Sequence, residues 1–429
     1  HTDGVFQFEK DGMKNVLRQM RPNRIEDLIA ANAMYRPGPM EVIPSYCRRK
    51  NQQEPIESIH KLVDDILVET YGLMVYQEQV MQVLNRLGKM PLNKALTLIK
   101  AVSKKKLSVI EQESHVFIAG AKANGIEEKQ AHDLFELIKK FADYGFNKAH
   151  STRYAVIAYQ AAYFKAFFPQ EFIAATLTYE CADQEKLVQY MAEAARLGVA
   201  VAPPDINSSG KSFTIDGKQV RFGLTAVKGV GESAVDAILV AREKAGRFQN
   251  IFHFCEHVDL RAVNRSTIEA LIKCGAFDSA GSAHRAAMIA AVDSAIQSAQ
   301  STARDRERGQ MNFFDTAQTG TETRPVHYPE VPAWTIDEIL AAEKEILGFY
   351  ISSHPIRRFE PLLANINWPH GFNLSMTAKC SAEARVGAGC LVASIRAFIP
   401  RKSTTEGRLM AMLTMEDGFG KTSGVVFAD

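Results

Sequence analysis

No stretch of this 429-residue chain approaches the ~20 uninterrupted apolar residues that a membrane-spanning helix needs. The most apolar run, YAVIAYQAAYFKAFF, is broken by Lys165. Cysteine is sparse: the six residues at 47, 181, 255, 274, 380 and 390 form no CxxC pair and no framework spacing. That pattern suits reduced thiols, so no disulfides and a cytoplasmic location are expected. HFCEH, with His253, Cys255 and His257, falls short of the four ligands a structural zinc site takes, and no metal-binding residue is assigned. There is no D-x-D pair to hold two divalent cations, and Asp64 and Asp65 are neighbours whose side chains diverge on a helix. A Walker loop ending in Lys-Ser or Lys-Thr is missing too. These absences leave no catalytic residue to assign within the chain. Charge is nearly balanced, at +2, so any anion binding must come from local clusters rather than from a bulk field. HTDGVFQFEK carries neither an initiator Met nor a signal-peptide pattern, and GVVFAD stops in strand-like sequence. Both ends read as cut, and a fragment of a longer protein is expected.

What is present is mostly helical periodicity. With 46% hydrophobic residues, the chain has material for about three domains. Residues 1–180 read as one all-helical domain, with GLMVYQEQVMQVLNRLG and EEKQAHDLFELIKKFA as examples. RPGPM at 36–40 interrupts it with an extended turn behind Arg36. Asp183 and Gly198 bracket a further helix, and SFTIDGKQVRFGL alternates around Asp216-Gly217 as a hairpin. Two short helical pairs are expected between 223 and 300, LTAVKGVGESAVDAILVAR and its weaker echo LRAVNRSTIEALIKCGAF. The polar stretch 301–332 reads as a linker and 333–385 as a helical connector. From 386 to 429 the period changes to two, as at the opening of a small barrel.

Four short segments carry chemistry. In KGVGES, Gly229 and Gly231 permit a tight turn before a helix whose first N–H groups suit a phosphate, and Lys228 adds charge. The competing reading is an ordinary glycine-broken helix–turn–helix. IKAVSKKK brings Lys100, Lys104, Lys105 and Lys106 into two turns of one expected helix, either a solvated basic face or a polyphosphate site. YGFNKAHST places Lys148 and His150 at the mouth of an apolar helix that would serve as a rigid mount; His150 could equally be a cap or core residue. GQMNFFD presents Gln310, Phe313 and Phe314 in the polar linker, as an anchor for a partner's pocket or as rings folded back on the chain.

With TDGVFQFE, RPGP, TYGLMVYQEQVM, FADYGFNKAHS, AYQAAYFKAFFP, PPDIN, GLTAVKGVGE, LIKCGAFD and EKEILGFYISSHP in one order, the chain closely resembles the C-family of bacterial replicative DNA polymerases. The resemblance implies a mainly α, multidomain fragment. Fingers would occupy 1–180, a duplex-DNA and clamp-binding domain with a helix–hairpin–helix 181–300, and the start of an OB domain 386–429. It implies nucleotide contacts from Arg36, Lys100, Asn147, Lys148 and His150, and DNA contacts from Lys104, Lys105, Lys228, Gly229 and Gly231. Gln310, Phe313 and Phe314 would anchor the sliding clamp. Ile99-Lys100 stands where the family commonly has two arginines. The implied partners are primer–template DNA, deoxynucleoside triphosphate, the clamp and other holoenzyme subunits, with no membrane. Mg2+ would be held by palm aspartates that precede the fingers in the family, leaving the fragment alone inactive. The alternative is a non-catalytic DNA-binding scaffold of helix–hairpin–helix and OB modules.

Overall fold

The computed structural model describes residues 2–307, 326–359, 390–398, 410–416 and 421–426. The chain divides into two compact units, His1–Phe168 and Pro169–Asp429, and the described residues are mainly helical, as expected.

The first unit contains α1 (Asp11–Met20), α2 (Ile25–Met34), α3 (Ile43–Lys50), α4 (Lys61–Leu67), α5 (Gln77–Arg86), α6 (Leu92–Ser103), α7 (Leu107–Ala123), α8 (Glu128–Tyr144) and α9 (Lys148–Phe167). They gather around two cores. One is built by α4 to α8, with Leu84, Leu98, Phe117 and Ile138 buried. The other is built by α1 to α3, Val75, Tyr76 and the inner face of α9. Glycine makes one contact in the first core possible. A Cβ on Gly120 of α7 would run into the backbone of Gly88 just after α5, so these segments meet only because that side chain is missing.

The apolar helix expected behind Lys148 and His150 is α9, and it buries its small residues. Its buried stripe is Ser151, Ala155, Ala158 and Lys165, not its bulky residues; Tyr159, Tyr163, Phe164 and Phe167 are exposed. Alanines on α9 face α2, itself lined by Ala30, Ala31 and Ala33, so the two backbones approach closely. Ser151 Oγ donates to the Ile29 carbonyl at 2.6 Å, and Lys165 Nζ donates to the Asp3 carbonyl at 2.5 Å. The residue that interrupts the apolar run is therefore buried with its charge satisfied.

Helix boundaries also shift. α5 begins at Gln77 and not at Gly72, because Gln79 Oε1 accepts the amides of Val75 and Tyr76 and holds the chain extended before the helix. The RPGPM turn is present, with Gly38 at φ +99°, and passes into a short 3-10 turn over Pro39–Val42.

The second unit opens with α10 (Pro169–Glu180) and α11 (Gln184–Arg196), the latter capped by Asp183, whose carboxylate accepts the amides of Glu185 and Lys186. A small sheet follows: β1 (Ala200–Ala202), β2 (Thr214–Asp216) and β3 (Gln219–Arg221), in the order β1-β3-β2. β2 and β3 form the expected antiparallel hairpin, and β1 adds to β3 in parallel. Next come α12 (Glu232–Ala245), α13 (Ile251–His257), α14 (Arg265–Lys273), α15 (Arg285–Glu307) and α16 (Ile336–Leu347). Only the second member of each expected helical pair is an α-helix. Leu224–Ala226 is a 3-10 turn, and residues 260–262 form a turn ahead of Asn264, the N-cap of α14. β4 (Leu391–Phe398), β5 (Met410–Glu416) and β6 (Lys421–Val426) pair as an antiparallel sheet with a register shift between Val392 and Ser394.

Arg285 ties several of these pieces together. Its guanidinium pairs with Asp278 at 2.6 Å and Glu343 at 3.1 Å, and donates to the Lys273 carbonyl at 3.2 Å. Glu343 is fully buried and also accepts the amides of Ile351 and Ser352. Burial alone would lower the Arg285 pKa, but Asp278 and Glu343 outweigh it and hold the group above its ordinary value.

Candidate nucleotide and nucleic-acid site

YGFN is held in place by backbone pairing before any side chain acts. Phe146 forms an isolated parallel bridge with Tyr76: Gln77 N donates to the Phe146 carbonyl at 3.0 Å, and Phe146 N to the Val75 carbonyl at 3.4 Å. The starts of α5 and α9 are thereby set side by side. Asn147 caps α9, its Oδ1 accepting the His150 amide at 2.8 Å. Glu78, in the first turn of α5, reaches across. Its carboxylate accepts the Lys148 amide at 2.9 and 3.1 Å and the Asn147 Nδ2 at 2.9 Å. One carboxylate thus complements the positive end of both helices, and the Lys148 and His150 amides of α9 are already engaged.

The side chains above this platform form a ladder. The Arg36 guanidinium lies 3.6 Å from the Phe146 ring centroid, Phe146 packs edge-on to His150 at 5.3 Å, His150 meets Tyr154 at 4.6 Å, and Tyr154 meets Phe6 at 5.3 Å. Arg36, Asn147 and His150 are exposed at its rim. A cation over the Phe146 ring and a histidine between that ring and Tyr154 form a surface suited to a flat, charged ligand.

Lys148 points elsewhere. Its Nζ pairs with Glu69 at 2.6 Å and lies 5.5 Å from the Tyr76 ring centroid. Tyr76 is 1% exposed, and burial, reinforced by Glu69, raises its phenol above the ordinary range. The structure therefore brings Arg36, Asn147, Lys148 and His150 together and adds Phe6, Glu69, Tyr76, Glu78 and Tyr154, which sequence reasoning did not name.

The lysine cluster is arranged differently from the expected single helix. Lys100 is exposed on α6, but α6 ends at Ser103; Lys104 is its C-cap, Lys105 is left-handed at φ +54°, and Lys106 precedes α7. Three cations thus project from a turn. Among the described residues no carboxylate pairs with Lys100, Lys104, Lys105 or Lys106; Lys14, Lys50, Lys122, Lys139, Lys140 and Lys148 of the same unit each meet one, while Lys10, Lys61, Lys89, Lys94 and Lys129 do not, so it is closeness in sequence that sets the cluster apart. Ile99 is 3% exposed in the core, so Lys100 alone of that pair reaches solvent.

In the second unit, Gly229 has φ +85°, a conformation its residue type permits. Gly231, the N-cap of α12, has an ordinary φ of −77°, and a Cβ there would meet nothing within 4 Å. Glycine is a common residue at an N-cap, and the surface beside Gly231 is open. Lys228, Gly229 and Gly231 are exposed, and Lys228 has no carboxylate partner among the described residues. Nearby Lys211 pairs with Asp236 at 3.1 Å and Glu232 at 3.3 Å. In the echo motif, Arg265 is occupied by Glu269 and Asp293, both at 3.1 Å, and Thr267 Oγ1 donates to the Gly229 carbonyl at 3.3 Å. The echo braces the first motif. Gln310, Phe313 and Phe314 lie outside the described residues.

His253, Cys255 and His257 form part of α13, with Cys255 buried and its thiol pushed up to about 12. Among the described residues no group of three or more His, Cys, Asp or Glu side chains is arranged to hold a metal ion, and no helix is long and apolar enough to cross a membrane.

Comparison with known proteins adds a family to this geometry. Residues 1–125 match the bacterial DNA polymerase III alpha subunit finger domain, and residues 198–288 match a helix-hairpin-helix motif. DNA polymerase III subunit alpha of Thermus aquaticus is 38% identical over 433 residues, covering 99% of this chain and 34% of that protein. The Deinococcus radiodurans protein of the same name is 37% identical, over 100% of this chain and 32% of its own length. The one from Bacillus subtilis is 37% identical, over 100% and 37%. The chain spans about a third of the length of these curated relatives.

Proposed function

Because this chain belongs to the family of bacterial DNA polymerase III alpha subunits, we propose that it is the part of a DNA-directed DNA polymerase that binds the incoming deoxynucleoside triphosphate and holds primer–template DNA. The observation that carries this reading is the lysine turn: Lys100, Lys104 and Lys105 are close in sequence, exposed, and lack carboxylate partners among the described residues. Like charges so close are unfavourable unless an anion offsets them.

In this reading Lys100 and Lys148 neutralise the triphosphate, Arg36 and His150 face the nucleotide, and Asn147 fixes the start of α9. Lys104 and Lys105 in the first unit, and separately Lys228, Gly229 and Gly231 in the second, contact DNA backbone without reading sequence. The contribution to turnover is positioning and charge neutralisation. No Mg2+ site forms among the described residues, so no step is assigned to the metal; in the proposed whole enzyme it would be held by residues outside this chain. Clamp tethering through Gln310, Phe313 and Phe314, an OB domain containing β4 to β6, association with other replication subunits and a cytoplasmic location belong to the same proposal.

Lysine acylation of the full-length polymerase on primer–template tests it. Adding the matched deoxynucleotide is expected to protect Lys100 and Lys148 beyond what DNA alone does, and a mismatched nucleotide should protect them less. Protection by DNA alone, indifferent to nucleotide, would favour a DNA-binding scaffold instead.

A further inference from the structure

Glu69 is the residue at the site whose geometry calls for explanation. It lies in the short 3-10 turn Val68–Thr70, and its carbonyl accepts a hydrogen bond from Arg24 Nη2 at 2.7 Å. Its Oε2 takes the Lys148 ammonium at 2.6 Å, yet its Oε1 is buried and meets no hydrogen-bond donor among the described residues. The Tyr76 hydroxyl beneath the pair is likewise buried without a partner among them. A purely structural ion pair of this kind would be expected to satisfy both carboxylate oxygens, because a buried acceptor left unbonded keeps the full cost of its desolvation. This pair is only half completed, and its exposed side leaves Lys148 open: the two side chains retain 36% and 28% of their accessibility.

We propose that Glu69 is a positioning residue that competes with nucleotide phosphate for Lys148, holding the ammonium against Tyr76 until a triphosphate oxygen displaces the carboxylate. The proposal rests on the nucleotide-site reading of Lys148 and adds to it what sets the affinity of that site. A triphosphate carries several negative charges against the single charge of Glu69, so the exchange favours the ligand. The partial exposure of the pair keeps its own strength near that of a surface ion pair, which is weak. Breaking it is then a modest tax on nucleotide binding. In the empty site the same contact keeps Lys148 ordered, and it prevents a second uncompensated cation from joining Arg36 near the rim.

Steady-state synthesis by the full-length polymerase carrying Glu69→Gln, Glu69→Asp or Lys148→Met, and by the Glu69→Gln/Lys148→Met double variant, tests the idea. Glu69→Gln keeps the shape and removes the charge. It is expected to lower the KM for deoxynucleotide about two- to fivefold with kcat unchanged or reduced. Glu69→Asp, which keeps the charge but shortens the reach, should fall between wild type and Glu69→Gln. In the Lys148→Met background, Glu69→Gln is expected to change nothing. An unchanged or raised KM for Glu69→Gln overturns the proposal while leaving the Lys148 assignment intact. An equal fall in KM with and without Lys148 also overturns it. If Lys148→Met itself leaves KM and kcat at wild-type values, the nucleotide-site reading fails and this proposal fails with it.

Discussion

Lys148→Met in the full-length polymerase is expected to lower kcat/KM for deoxynucleotide incorporation by about 10- to 100-fold, through both a higher KM and a lower kcat. A hydrogen bond to a charged group is worth about 1.5–3 kcal/mol, which sets that range. Methionine keeps the unbranched stem of lysine, so packing over Tyr76 survives while the charge is lost. The backbone amide that Glu78 holds is also untouched, so the start of α9 should remain folded. Lys148→Arg should recover part of the loss, since it restores charge with a different donor geometry. Wild-type kinetics for Lys148→Met would remove this residue from the proposed nucleotide site.

The second large effect concerns stability. Arg285→Met would leave Glu343, fully buried, without its cation and Asp278 without its 2.6 Å partner. Breaking a buried pair from one side costs about 3–5 kcal/mol, because the surviving charge stays desolvated. The chain contains more than one compact unit, so a single melting temperature is a poor readout. Amide hydrogen exchange in α14 and α16 is better: it should accelerate by about a hundredfold or more. Adding Glu343→Gln to Arg285→Met should recover part of the loss, since the orphaned charge is removed. Unaltered exchange in Arg285→Met would show that the network contributes little to this unit.

Much of this architecture was legible locally. Asp183 caps the helix that follows, as its place before an apolar run implies; Asn147 and Asn264 cap α9 and α14 in the same way, a role the sequence reading did not give them. Asp216-Gly217 marked its hairpin for a similar reason: Gly217 adopts φ +62° at the turn. The lysine run was harder. Nothing in SKKK signals a stop, since lysine is a good helix former, and the break comes from how α6 and α7 pack on their shared core. α9 reads as apolar all round, which leaves its buried face open, and close approach of α2 selects alanines for that face.

The candidate site was half visible. Residues 146–150 announce themselves, but Glu69 and Glu78 pair with Lys148 from 79 and 70 positions away. Contacts that distant have no local periodicity or motif to reveal them. The parallel strand β1 escaped for the same reason: its partner β3 lies across the β2 hairpin, and three residues are too few to show alternation.

The most direct measurement is a structure of the full-length polymerase with primer, template, divalent metal and a matched, unreactive deoxynucleotide. The account predicts triphosphate oxygens within about 3 Å of Lys148 Nζ, Lys100 turned toward the same phosphates, and Glu69 separated from Lys148. A triphosphate seated away from both lysines, with the Glu69–Lys148 pair unbroken, would contradict it.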